Sequence, residues 1–167
     1  MNTAPLGVAA HHRMYIQEVW AIDRQIAALE EVAKYQSGTT LARAITKLAH
    51  VVIARDVWLS RIDPESGRPD ELWPRDWTLA QLRETVSASQ QRWGRFLDRL
   101  TADGLSREID YESYEGKAWT NTLEEILLHV WSHGFYHRGQ VGALINELGG
   151  TPPAIDFIVH ARVSPGE

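Results

Sequence analysis

The chain has 167 residues, a formal net charge of −5 and no cysteine. Its length suits one domain with its own core, so residues 1–167 are interpreted as a single domain, and the lack of cysteine excludes disulfides and thiolate metal sites. The acidic balance without a basic run disfavours a nucleic-acid partner. Without a signal-like N-terminus or a membrane-length apolar run, we expect a soluble, cytoplasmic protein that does not bind membranes.

Apolar residues at helical spacing predict two long helices in the first 62 residues. The first is predicted from about His11 to Tyr35, with a buried face formed by Tyr15, Val19, Ile22, Ile26 and Leu29. The second is predicted from about Thr40 to Ile62, and it is apolar on two sides, which indicates a well-buried helix. His50 lies on one of those sides, and taken alone it is interpreted as a core histidine with hydrogen-bonded ring nitrogens.

A loop and a third helix follow. Prolines and glycines mark residues 63–77 as a loop, and we expect its Trp73 and Trp77 to pack over neighbouring residues. The capping-box pattern of Thr78 and Gln81 then predicts the start of a helix that runs to about residue 100.

The final third of the chain carries an extended segment and the strongest helical pattern. Residues 105–120 contain strand-forming side chains and predict a short hairpin or extended excursion. A fourth helix is predicted from Leu123 to Leu148, because Thr122 and Glu125 form a capping box and a Gly-Gly pair followed by two prolines ends the pattern. The tail is expected to pack back on the helices through Ile155, Phe157, Ile158 and Val159.

Three histidines recur every fourth residue in the fourth helix: His129, His133 and His137. On a helical wheel His137 lies near the middle of the apolar stripe, His133 about 40° to one side and His129 about 40° further out. Since His129 and His137 are about 12 Å apart along the axis, one ion can take only two adjacent histidines, and the wheel favours the pair 133/137. Gly134 and Gly139 cost this helix about 1 kcal/mol each, which indicates a close neighbouring helix or room for a ligand.

Four long helices, with one longer excursion before the last, predict an all-α four-helix bundle. Bundles place metal sites in their core from side chains on facing helices, and His50 together with His133 and His137 suits that arrangement. Three neutral imidazoles leave a fourth coordination position open, as in catalytic rather than structural sites. Two satisfied core histidines without a metal are the alternative interpretation of the pair on the fourth helix.

The upstream histidine and the segment HxxxHRGQ, which runs from His133 to Gln140, resemble the DinB/YfiT-like family. The similarity covers about residues 12–160, including the four helices, the extended piece and the Pro- and Asp-containing tail. It implies a divalent metal, zinc or nickel among others, held by His50, His133 and His137. It also implies a homodimer.

The resemblance implies a metal-dependent enzyme that acts on a small-molecule substrate. Related members are transferases or isomerases that use a low-molecular-weight thiol such as bacillithiol, mycothiol or glutathione. A metal-dependent hydrolase with a metal-activated water is one alternative, and a non-catalytic metal- or ligand-binding bundle is another. Hydrolysis calls for a nearby carboxylate base, and no HExxH pattern supplies one, because residues 134–136 between the histidines are Gly, Phe and Tyr. Asp56 and Glu125 are candidates by helix position alone, so the sequence favours the thiol reaction.

Other residues near the histidines receive more modest predictions. His129 is expected to be structural at the edge of the stripe, and the alternatives are a hydrogen-bond donor behind the metal ligands or a part of the pocket wall. Arg138 lies off the apolar stripe and is expected to pair with an acidic group. Gln140 is expected to donate or accept a hydrogen bond that orients the helix or the site. Trp58 and Tyr136 are expected to belong to an aromatic core, with a pocket wall as the alternative for each.

Overall fold

Four long helices dominate the computed structural model, which describes residues 6–162. In chain order the elements are α1 (Val8–Ala33), α2 (Thr39–Ile62), α3 (Leu79–Leu97), α4 (Ala102–Leu105), β1 (Glu108–Glu112), β2 (Ala118–Thr122), α5 (Leu123–Glu147) and α6 (Phe157–Ala161). The strands form an antiparallel hairpin directly before α5. The prediction of an all-α four-helix bundle with a hairpin before the last long helix is confirmed.

Helix α2 is the most deeply buried element, as its two apolar sides predict. Every residue from Leu48 to Val57 is buried, and α2 packs along α5 for much of its length. One core cluster fills the space between the four long helices, and a second surrounds Trp93 and Trp131 beside the hairpin. His50 lies in the central part of α2, so the fold holds it rigidly against α5.

Local hydrogen bonds fix where α5 begins and therefore where its histidines point. The hydroxyl of Thr122 accepts the backbone N–H of Glu125, and the Glu125 side chain accepts the backbone N–H of Thr122. The same reciprocal arrangement joins Thr78 and Gln81 at the start of α3. Both predicted capping boxes are confirmed. Gly149 follows the end of α5 with a φ of 78°, a left-handed conformation that glycine adopts without strain.

Two helix bounds and the packing of the tail differ in detail from the predictions. Helix α1 begins three residues earlier than predicted, and α3 ends three residues earlier. The tail packs on α1, where the Arg13 guanidinium lies over Phe157 and His160 contacts Trp20. The prediction that Ile158 is buried there is wrong, because a five-residue helix presents only one side to its neighbour and leaves Ile158 61% exposed.

A buried ion cluster crosses the bundle between α1, α2 and α5. The two carboxylate oxygens of Glu18 lie 3.5 Å from guanidinium nitrogens of Arg55 and Arg138, and all three side chains are buried. The Gln25 side chain donates to the backbone oxygen of Arg138 at 2.7 Å. The predicted acidic partner of Arg138 is thus confirmed. Its placement off the buried face is wrong, because Glu18 supplies a charge inside the bundle that lets an arginine face inward.

The glycines of α5 occupy different surroundings. A Cβ at Gly134 would lie 2.7 Å from Nη1 of Arg138 and 3.0 Å from Oε2 of Glu18. Apart from its chain neighbours and the adjacent backbone of α5, no heavy atom of residues 6–162 comes within 4 Å of a Cβ built at Gly139. Of the two alternatives, close packing applies at Gly134 and open space applies at Gly139.

We expect Gly134→Ala and Gly139→Ala to change stability in opposite directions. The first inserts a methyl group into a buried, ion-paired cluster and should lower the free energy of unfolding by about 1–3 kcal/mol. The second removes backbone freedom in an open helix position and should raise it by up to about 1 kcal/mol. Urea denaturation at pH 7 measures both, and shifts of the same sign would contradict the packing described above.

None of the helices within residues 6–162 combines the length and the apolar character that crossing a membrane requires.

Candidate metal centre

The three predicted ligand residues meet at one place. His50 projects from α2, and His133 and His137 project from adjacent turns of α5. One ring nitrogen from each lies within 4.8 Å of the others. The ring centroids are 5.1 Å apart for His50 and His133, 4.8 Å for His50 and His137, and 4.4 Å for His133 and His137. This group could hold a metal ion. Of the two adjacent histidine pairs on α5, the pair 133/137 is the one that forms a group with His50.

Hydrogen bonds to the outer ring nitrogens orient two of the imidazoles. Nδ1 of His50 donates to the backbone oxygen of Leu72 at 3.0 Å. Nδ1 of His137 lies 3.1 Å from Oε1 of Gln140, to which it donates. Since an oxygen of this kind only accepts, each Nδ1 carries the proton and each Nε2 keeps a free lone pair. The predicted hydrogen bond of Gln140 is confirmed, and it acts on the site.

Burial keeps these histidines uncharged at neutral pH. Loss of solvation lowers the pKa of His50 to about 4, against a smaller opposing effect of its hydrogen bond to Leu72. Burial, and then the neighbouring histidines, lower the pKa of His133 to about 4. Burial also lowers the pKa of His137. Three neutral imidazoles with free lone pairs are the donors that a zinc-like divalent ion requires, so the residues fit the implied metal.

The loop between α2 and α3 closes one side of the centre. The Trp73 indole stacks on His50 with ring centroids 3.5 Å apart and an interplanar angle of 4°, and its centroid lies 5.9 Å from that of His137. The preceding residue, Leu72, supplies the carbonyl that orients His50. The prediction that Trp73 packs over neighbouring residues is confirmed. The contact of Trp73 with His50 could not be predicted from the sequence, which shows only that a tryptophan lies in a proline-rich loop.

A pocket of about 410 Å³ opens beside His50 and His133. The hairpin and α2 form most of its walls, which consist of Ala54, Val57, Trp58, Arg61, Leu72, Tyr111, Ser113, Tyr114, Trp119 and His129. Most of these side chains are aromatic or aliphatic, so the pocket offers an apolar surface next to the three histidines. Two surface depressions of similar or larger volume lie elsewhere and contain none of these histidines.

Three aromatic residues near the histidines differ in their surroundings. Trp58 packs against the core cluster around Trp93 and Trp131, as predicted, and it also lines the pocket, where it packs edge-on against Tyr111 of the hairpin. Tyr136 is 65% exposed and touches the edge of His137, so its core assignment is wrong. His129 belongs to the pocket wall, where it contacts Trp58. A helical wheel of α2 cannot show that Trp58 lines a pocket, because the hairpin that completes the pocket comes from a distant part of the chain.

Neither carboxylate considered as a base is available at the centre. Asp56 accepts hydrogen bonds from Ser89, Arg92 and Trp93 on the other side of α2. Glu125 is engaged in the capping box at the start of α5. Within residues 6–162, no aspartate or glutamate side chain lines the pocket beside the histidines. Any general base for hydrolysis would have to come from another kind of group.

Comparison with known proteins agrees with this arrangement. The model of the DinB family matches residues 14–166. Protein DinB of Bacillus subtilis (strain 168) is 24% identical over 173 residues, which cover 93% of this chain and 95% of that protein. The family match spans far more than half of the sequence, including all three histidines and the HRGQ segment, and on that basis the chain belongs to the DinB family.

Proposed function

We propose that the protein is a metal-dependent enzyme that uses a low-molecular-weight thiol to modify a small-molecule substrate, as a transferase or an isomerase. The observation that carries the proposal is the group of three neutral imidazoles at the end of an apolar pocket without a carboxylate. Zinc or nickel suits this donor set. Members of the resembled family that use bacillithiol, mycothiol or glutathione support the choice of a thiol.

The chain's own residues have defined tasks in this proposal. His50, His133 and His137 would hold the cation, and the Leu72 carbonyl and Gln140 orient two of them through Nδ1. When bound, the cation supplies a positive charge that lowers the pKa of a thiol at the position the imidazoles leave open.

The pocket wall has a separate task, which is to hold the electrophilic substrate. The indoles of Trp58 and Trp119 offer it apolar surface beside His133 and displace water from around the reacting groups. A substrate packed there lies next to the candidate thiol position, so the two reactants meet without diffusing through bulk solvent.

Hydrolysis by a metal-activated water is the less favoured alternative. It needs a group that accepts a proton from the attacking water, and Asp56 and Glu125 are both occupied elsewhere. A purely structural metal site is also less favoured, because a pocket reaches the histidines and gives a ligand access to them. Thiol chemistry would need no carboxylate base, since a bound cation would lower the pKa of the thiol enough for its proton to be released to solvent.

Substitution with cobalt(II) tests whether a thiol reaches the centre. We expect the visible spectrum of cobalt-loaded protein to change on addition of glutathione or a related thiol. His160→Ala should behave as the wild type, because His160 lies on α6 and is not one of the three histidines of the centre. His133→Ala should lose the cobalt spectrum. A spectrum that no thiol alters would contradict the thiol proposal and favour a non-catalytic site.

The resemblance also supports a homodimer, and we include it in the proposal. Sedimentation equilibrium should then give a mass of twice 18.9 kDa. A mass of one chain at micromolar concentration would remove the dimer and leave the catalytic proposal intact.

A further inference from the structure

Arg61 presents an unpaired cation to the pocket. Its guanidinium carbon lies 4.4 Å from the ring centre of Trp58, 5.0 Å from that of Tyr111 and 5.5 Å from that of Tyr114. It donates one hydrogen bond, from Nη2 to the backbone oxygen of Glu112 at 3.1 Å. Within residues 6–162, no carboxylate oxygen comes within 4.0 Å of it. A stacked guanidinium keeps its in-plane N–H donors available, so several remain for a ligand.

Arg61 is half-buried and lacks a carboxylate partner, whereas the other arginines without such a partner within residues 6–162 are exposed. Carboxylates pair with the five remaining arginines of the described residues, namely Arg55, Arg83, Arg92, Arg99 and Arg138. Near Arg61 the charge is instead positive, because the guanidinium carbon of Arg68 lies over the ring of Tyr114, 5.8 Å from its centre. This part of the pocket therefore attracts an anion.

The position of Arg61 relates it to the histidines. It follows His50 by eleven residues on α2, which is about 16 Å along the helix axis. Both residues line the same pocket, and the rings of Trp58 and His129 form a series of contacts from Arg61 to His133. An extended ligand with one end at the histidines would place its other end near Arg61.

We propose that Arg61 binds a carboxylate of the ligand that occupies this pocket, at the end remote from the three histidines. The inference rests on the proposed function and names the charge that its thiol or its electrophilic substrate carries. A carboxylate suits the site because its two oxygens can accept a planar pair of N–H donors from a single guanidinium. The aromatic walls would pack against the apolar part of the same ligand.

Isothermal titration calorimetry with two matched ligand pairs tests this inference. 2-Naphthoate and 2-naphthamide represent an apolar substrate with and without the charge, and glutathione and its diethyl ester represent the thiol. The naphthalene pair is titrated into wild-type protein before and after treatment with a chelator, so that direct ligation of an acid to the metal is excluded. The variants are Arg61→Gln, Arg61→Lys and, as a control, Arg43→Gln, which alters an exposed arginine of the same helix.

We expect wild type and Arg43→Gln to bind the acid of at least one pair about tenfold more tightly than its neutral analogue. Arg61→Gln should remove that preference. The naphthalene pair would assign the carboxylate to the substrate, and the glutathione pair would assign it to the thiol. Arg61 also holds the hairpin, so thermal unfolding checks that each variant is folded. If Arg61→Gln does not fold, Arg61→Lys decides the question. A lysine lacks the planar guanidinium, so the preference of that variant for the acid should fall severalfold.

Several results would overturn the inference: equal affinity for acid and neutral analogue in both pairs, no binding of any of the four compounds, or an acid preference that survives in Arg61→Gln. The outcome is separable from that of the metal proposal. A protein that holds no metal before chelator treatment but still prefers naphthoate through Arg61 would refute the metal-dependent function and keep the carboxylate site. A protein that holds metal but shows no acid preference would refute this inference alone.

Discussion

Replacing His50 or His137 with alanine should reduce bound metal from nearly one equivalent per chain to nearly none. Each imidazole is one of three donors whose ring nitrogens lie within 4.8 Å of one another, and the remaining two cannot hold a divalent ion tightly. Mass spectrometry for metals, on untagged protein purified without chelators, measures the effect. Gln140→Leu, which removes the acceptor at Nδ1 of His137, should weaken metal binding by about 10–100-fold.

The control for this experiment is His160→Ala, because His160 lies on α6 and packs against Trp20 of α1. It should retain the wild-type metal content. Equal metal in wild type, His50→Ala and His137→Ala would show that the ion is bound elsewhere and that the three histidines are not its ligands. Circular dichroism of each variant separates loss of a ligand from loss of the fold.

Replacing Glu18 with glutamine should lower the free energy of unfolding by about 3–5 kcal/mol. Glu18 is 1% exposed, and its two carboxylate oxygens each face a buried guanidinium, on Arg55 and on Arg138. The isosteric amide removes the negative charge and leaves two buried cations without compensation. Since domains of this size are stable by about 5–15 kcal/mol, the loss is a large part of the total. Urea denaturation at pH 7 measures it.

Glu31→Gln is the matched control on the same helix. Glu31 is exposed and pairs only with Lys34 at the surface, so its replacement should cost no more than about 1 kcal/mol. Similar losses for the two variants would contradict the view that the cluster depends on Glu18. The cluster also bears on the metal centre, because Arg138 directly follows His137 and its backbone oxygen is held by Gln25.

The sequence by itself determined most of the helical framework. Helical periodicity and the Thr122–Glu125 capping box give the first residue of α5 and, with it, the direction in which His133 and His137 project. These features are local, since a capping box depends on residues three apart and a wheel on a fixed rotation per residue. The choice of His50 as the third member of the group needed more, namely the two-sided pattern of α2 and the resemblance to a family.

Only the tertiary structure decided what surrounds the histidines. Arg138 faces the core because Glu18, 120 residues earlier in the chain, meets it there, and Ile158 is exposed because α6 is too short to cover it. Trp73 reaches His50 through the fold of a loop, and the hairpin turns Trp58 into a pocket wall. Local spacing fixes the direction in which a side chain leaves its own helix, whereas the group it meets is set by the packing of distant segments.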